Sequence, residues 1–367
     1  MPTAFFRRLA QHTSRTNIGS CGKLKLTGIE AALQQCVAIS ICVISALSSS
    51  FLIADTAVSD SAIEHPLTGP WWPSRWGAED QLGAANHLSS DTVLTAVKLI
   101  EHGKIADLSH PLEMGRPDFH NRVYTLISAG GPSGGPVGTN KYMFNEEWIS
   151  GEITGIGTQF DALSHIGRQL GDEGNNKSVH YYNGFSHHEI GTRNGFLKLG
   201  VENVPPIFTR GILIDLAAHQ GAMLKGGTVI DKALILATLK SQGMSEEDIR
   251  PGSVVFWRQG RDQLWQHAPK EYIRSTAGLD KDTADWLANK DIVAVGSDSI
   301  AMEPIPPVND RLAEIHATFL MENGIYMFEN LDLRPLSDAQ VYKFAFSFAP
   351  IAFVGAQGSP ARPFALY

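Results

Sequence analysis

The densest run of residues able to do chemistry is Gly155-Ile156-Gly157-Thr158-Gln159-Phe160-Asp161-Ala162-Leu163-Ser164-His165. Its two leading glycines permit a tight backbone path. If the residues after them are extended, alternation puts Gln159 and Asp161 on one face. A carboxylate and an imidazole fixed near each other suit metal ligation or general-base work. They equally suit a structural role, with Asp161 capping the turn and His165 hydrogen-bonded in the core. A second cluster stands far downstream, where Glu329, followed by Asn330, closes the apolar run 325–328, and His316 lies in Ala313-Glu314-Ile315-His316. A carboxylate ending a buried strand needs a partner, because an unpaired buried charge is expensive. A metal ion or an arginine would serve. His110, in Asp107-Leu108-Ser109-His110-Pro111-Leu112, sits where a strand gives way to a turn and is a candidate for lining a pocket. The chain has neither a Walker motif nor a dinucleotide fingerprint.

These residues must be positioned by regular elements. The spacing of Val93, Leu94, Val97, Leu99 and Ile100 predicts a helix over 90–102, and residues 104–108 read as a strand. The Gly/Pro-rich stretch 130–138 reads as an exposed flap. Further on, strands are expected at 211–216, 253–257, 292–295 and 325–328, with helices at 231–242 and 280–288; 339–346 is a helix or a strand. Strands alternating with helices point to a mixed α/β core. Trp71, Trp72 and Trp76 crowd a Pro-rich lead-in and serve as packing anchors or as an aromatic pocket wall.

The composition narrows the chemistry further. Of 367 residues, 43% are hydrophobic, enough for a sizeable core. The formal charge is −8, and the first 57 residues hold five of the 30 basic and two of the 38 acidic residues, leaving a net −11 beyond them. Such a surface repels phosphate backbones and excludes nucleic acid as a partner. All three cysteines (Cys21, Cys36, Cys42) lie in those first 57 residues, so the remainder has no disulfide, thiolate nucleophile or thiolate ligand. A basic start, an uncharged apolar stretch and small residues up to Ala57 read as a targeting segment, residues 1–57, ahead of a domain over 58–367. It is a cleaved export signal, giving a periplasmic or secreted protein, or else a single membrane anchor or an organellar transit peptide.

Several motifs, in order, resemble the cyclase family, metal-dependent hydrolases that include kynurenine formamidase and isatin hydrolase. They are Trp76-Gly77-x-x-Asp80-x-Leu82-Gly83-x-x-Asn86, the Asp107-Leu-Ser-His-Pro-Leu segment, Phe208-Thr-Arg-Gly-Ile-Leu-Ile-Asp, Ile249-Arg-Pro-Gly-Ser-Val-Val, Glu329-Asn-Leu, and Gly355-Ala-x-Gly-Ser-Pro-x-Arg-Pro. The family signature His-x-Gly-Thr-His-x-Asp-x-x-x-His is matched at Gly157, Thr158, Asp161 and His165, whereas Gly155 and Gln159 stand where it has histidines. The resemblance implies a swivelling β/β/α-type α/β domain with a mixed central sheet, and a homodimer or higher oligomer. It further implies metal ligation by Asp161, His316 and Glu329, and His165 as general base. Gln159 could assist through its oxygen, although an amide is a weaker ligand than imidazole.

The function expected is hydrolysis of an amide or lactone of a small, cyclic or aryl-linked molecule, with one divalent ion, zinc or manganese. Thr158 is a candidate for orienting the oxyanion, and Trp71, Trp72, Phe160, Tyr182 and His110 for the pocket. Loss of two imidazoles leaves open a metal-free relative that binds a small molecule without turnover. A membrane partner is expected only if the leader is an uncleaved anchor.

Overall fold

Near-continuous apolar runs such as Ile212-Leu213-Ile214 and Val254-Val255-Phe256-Trp257 signal strands covered on both faces, and they form the centre of the molecule. The computed structural model describes residues 71–115, 121–171, 173–175 and 178–367. The expected leader, 1–57, lies outside the described residues. In chain order the strands of the large sheet are β1 (Ile105–Asp107), β2 (Gln159–Asp161), β3 (Ile207–Asp215), β4 (Val254–Arg258), β5 (Ala294–Ser297), β6 (Tyr326–Glu329), β7 (Lys343–Phe348), β8 (Gly358–Pro360) and β9 (Phe364–Leu366). They lie in the order β1-β9-β7-β3-β4-β5-β6-β2-β8. Neighbours from β3 to β6 are parallel, and the remaining pairings are antiparallel. The sheet is therefore mixed, as expected. The ambiguous stretch near 339–346 is resolved as strand β7.

The three longest helices among the described residues have side-chain caps that fix where they begin: α1 (Ser90–Val97), α2 (Lys232–Ser241) and α3 (Lys281–Ala288). Ser89 and Thr92 form a reciprocal capping box, while Asp231 and Asp280 accept from the backbone of Leu234 and Thr283. Helix α1 is shorter than its apolar spacing suggested. Its expected inner face is largely outside: Leu94 is 60% exposed, and the residue buried is Ala96.

The expected flap belongs to a longer arm. Tyr124–Ser128 pairs with Glu147–Gly151, and Gly134–Val137 with Tyr142–Phe144, all antiparallel. The arm leaves Leu126, Ile127, Tyr142, Phe144, Trp148 and Ile149 exposed. Its root carries Arg122 on one side and runs into Gly155 on the other.

At the end of β4, Arg258 reaches Asp262 at 2.7 Å and Asp215 at 3.3 Å, beside the buried Asp298. Burial and the Asp298 charge raise the Asp262 carboxyl to about 7, against the pull of Arg258. Between the unfolded value near 4 and about 7, the native state keeps a proton that the unfolded chain has lost. That contribution to stability fades as pH rises through this window. Asp262→Asn removes it, so its melting temperature relative to the parent should improve from pH 5 to pH 8. A variant that loses ground to the parent over that range contradicts the assignment.

Candidate functional site

Strand β2 holds the first cluster between two partners. Gln159 lies opposite Glu329 of β6 and Pro360 of β8, and Asp161 opposite Met327 and Gly358. Alternation turns Gln159 and Asp161 to one face and Phe160 to the other. Phe160 is fully buried against Tyr326, Phe328 and Phe348, with ring centroids 5.0–5.2 Å away. The expected shared face of Gln159 and Asp161 is present. The expected pocket role of Phe160 is corrected: it belongs to the core.

The polar face opens into a cavity of about 790 Å³ whose walls include Arg122, Gln159, His165, His316 and Glu329. His316 follows Ala313 in a short helical turn, Glu314–His316. Its Nδ1 lies 2.7 Å from Glu303 Oε1, which also accepts from the His316 backbone N–H at 2.8 Å. Its Nε2 lies 3.1 Å from Glu329 Oε1, without hydrogen-bond geometry. Burial alone would lower the His316 pKa, but the Glu303 and Glu329 carboxylates outweigh it and hold the ring well above its usual range. Glu303 moves oppositely: burial would raise it, yet the His316 charge keeps it low. For Glu329, burial dominates and, with Asp161 nearby, pushes the carboxyl up.

His165 Nδ1 stands 3.8 Å from Asp161 Oδ1 and has no hydrogen-bond partner among the described residues. Burial lowers its pKa against the pull of Asp161, and the charges of His316 and Arg122 lower it further. The ring is therefore neutral at neutral pH. Donor atoms of Asp161, His165 and His316 lie within 4.8 Å of one another.

These residues fit a divalent ion. Two buried lone-pair bearers, His165 Nδ1 and Glu329 Oε1, lack hydrogen-bond partners among the described residues, and a histidine oriented through Nδ1 by a carboxylate is the usual support of a metal ligand. Gln159 does not fit as a ligand. Its oxygen accepts from the Gly155 N–H, so its nitrogen faces the carboxylates. That nitrogen donates to Glu329 at 2.8 Å and to both oxygens of Asp161 at 3.1 and 3.3 Å, and an amide N–H offers no lone pair. The expected ligation through its oxygen is corrected accordingly.

Thr158 is also placed differently from expectation. Its hydroxyl accepts from the His110 N–H at 2.9 Å and donates to the Asn330 carbonyl at 2.6 Å. It pins the loop to the end of β6 and is turned away from an oxyanion role. His110 itself is buried, stacked 4.2 Å from Trp265, and burial lowers its pKa to about 4; it does not line the cavity. Nor do Trp71, Trp72 and Tyr182. Trp71 donates to the Tyr181 carbonyl at 2.8 Å, Trp72 stacks on His180, and Tyr182 donates to Asp80 at 2.7 Å. Trp71 and Tyr182 border a separate hollow of about 380 Å³. Trp71 and Trp72 are held as anchors, Trp71 and Trp76 also border that separate hollow, and none of the three lines the site cavity.

Two residues in or beside the site were missed in the sequence. Glu303 had a signal, a carboxylate within the apolar run 300–307. Arg122 had none. A further pattern also needed structure to judge. Gly131-Pro132-Ser133-Gly134-Gly135 spells the serine-hydrolase elbow, but it lies in the arm, where Ser133 bonds to Phe144 across a hairpin. A nucleophile elbow requires a strand-to-helix turn.

Residues 106–304 match the model of the Cyclase family. A solved structure described as a novel cyclase superposes with TM-score 0.67 at 28% identity, covering 80% of this chain and 96% of its own. An isatin hydrolase A from Ralstonia solanacearum gives 0.52 at 16% identity, over 76% and 97%. An isatin hydrolase bound to the product analogue thioisatinate gives 0.50 at 18%, over 76% and 99%. No curated protein matches the chain. The mixed α/β fold implied by the resemblance is the fold shared with these structures.

Proposed function

The chain belongs to the Cyclase family, and from that premise we propose that it hydrolyses the amide or lactone bond of a small, cyclic or aryl-linked molecule. One observation carries this: His165, His316 and Glu329 line one cavity, Asp161 offers a donor atom within 4.8 Å of those of the two histidines, and Glu303 orients His316 from behind. Asp161, His316 and Glu329 would hold one divalent ion, zinc or manganese. When bound, such an ion supplies Lewis-acid chemistry, polarising a carbonyl and making water a better nucleophile. His165, held neutral, takes a proton from the attacking water and returns one to the leaving nitrogen or oxygen. The hydroxyl joins the acyl carbon as the C–N or C–O bond breaks. Gln159 donates to Asp161 and Glu329, keeping two like-charged carboxylates in place. The homodimer implied by the resemblance would give the apolar arm a partner.

The second reading is a binding protein without turnover, favoured by the Gln159 amide facing the carboxylates where the signature has an imidazole. Elemental analysis of gently purified protein separates the two. One divalent ion per chain is expected, with chelator-sensitive hydrolysis in a panel of amides, lactones and formamides. No stoichiometric ion and no chelator-sensitive turnover would leave only the second reading.

A further inference from the structure

Gly155, where the family signature has a histidine, is not an empty place. Its φ is +74°, and a side chain there would collide with the guanidinium and Cδ of Arg122. Arg122 thus fills the space of the missing imidazole, reaching across from the opposite root of the arm. It shares the cavity wall with Gln159, His165, His316 and Glu329. One of its N–H groups bonds to Thr154 Oγ1 at 3.1 Å, and it has no ion pair among the described residues. Most of its five donors have no partner among the described residues. Its charge reaches the centre, since it helps to lower the pKa of His165. The other basic residues on the wall are committed: Arg311 pairs with Glu314 at 2.6 Å and Lys281 with Asp285 at 2.5 Å.

We infer that Arg122 is an anion clamp, binding a carboxylate of the small molecule that occupies this cavity. A planar guanidinium with free donors matches a carboxylate in two parallel hydrogen bonds. Its charge adds to whatever offsets the repulsion of an anion by Asp161, Glu303 and Glu329. The inference deepens the proposed hydrolysis, which it rests on for the substrate class. Cleaving an amide or lactone creates a carboxylate, and a substrate can also carry one of its own.

The test uses the full chain, with and without added divalent ion, and benzoate and benzamide as probes in calorimetric titration. The parent should bind benzoate. Arg122→Met should weaken that binding at least tenfold, Arg122→Lys should keep an intermediate affinity, and benzamide should bind all three alike. Arg122→Gln, closer in polarity, serves if the Met variant does not fold. Benzoate binding that is absent in the parent, or unchanged in the Met and Gln variants, overturns the clamp. So does an equal loss of benzamide, which would mark Arg122 as structural only. With a hydrolysed substrate in hand, a raised KM in the variants places the carboxylate on the substrate, and relieved product inhibition alone places it on the product; either supports the clamp. Binding is read without turnover, so a chain that binds benzoate through Arg122 but hydrolyses nothing would sink the hydrolase and leave the clamp standing.

Discussion

His165→Ala should lower hydrolysis by about 10²–10⁴-fold, the range for loss of a positioned general base, while the protein stays folded. The side chain lines the cavity and makes no hydrogen bond through Nδ1, so truncating it leaves no partner unpaired. Its neutrality follows from burial and two neighbouring positive charges, which is the state a base must be in. The proposed ion-holding set of Asp161, His316 and Glu329 remains in the variant. Ion content, circular dichroism and melting temperature should therefore match the parent within a few degrees while turnover collapses. Turnover within threefold of the parent would remove His165 from the chemistry. Joint loss of ion and activity would instead make it a ligand.

Much of the centre was legible because a strand's apolar pattern is local. Runs such as Val254–Trp257 need no knowledge of their partners to be read as buried strands. The same period-two logic placed Gln159 and Asp161 together, and applied one residue further it would have excluded Phe160 from the pocket. Helix α1 shows where local pattern fails: its apolar spacing is real, but burial depends on what lies opposite, and the helix packs near β3 with Ala96 buried and Leu94 left exposed. Thr158 fails for a related reason. Its hydroxyl is used up by groups 48 and 172 residues away, and nothing in the glycine loop announces that. Glu303 was readable by the argument already applied to Glu329, that a carboxylate in an apolar run needs a partner. Arg122 was not, since only the folded arm brings its guanidinium over Gly155.

Restoring both signature histidines should not by itself restore a second ion site. Gly155→His with Gln159→His supplies two imidazoles, and histidine is among the residues that tolerate positive φ better than most. Replacing Gln159 also frees Asp161 and Glu329 from its amino group. Yet the new side chain at 155 must enter the volume that the Arg122 guanidinium and Cδ occupy, and a fixed positive charge beside an incoming cation opposes its binding. The double variant should hold one divalent ion per chain, as the parent is proposed to do. Adding Arg122→Ala removes both obstacles, and the triple variant should hold two, with a melting temperature that climbs further as ion is added. Elemental analysis after dialysis against a defined ion concentration counts them. Two ions in the double variant would show that Arg122 yields its place freely, whereas one in the triple would mean that more than Arg122 and two missing imidazoles separates this site from the full signature. Loss of benzoate binding should accompany the gain of the second ion, since one side chain governs both.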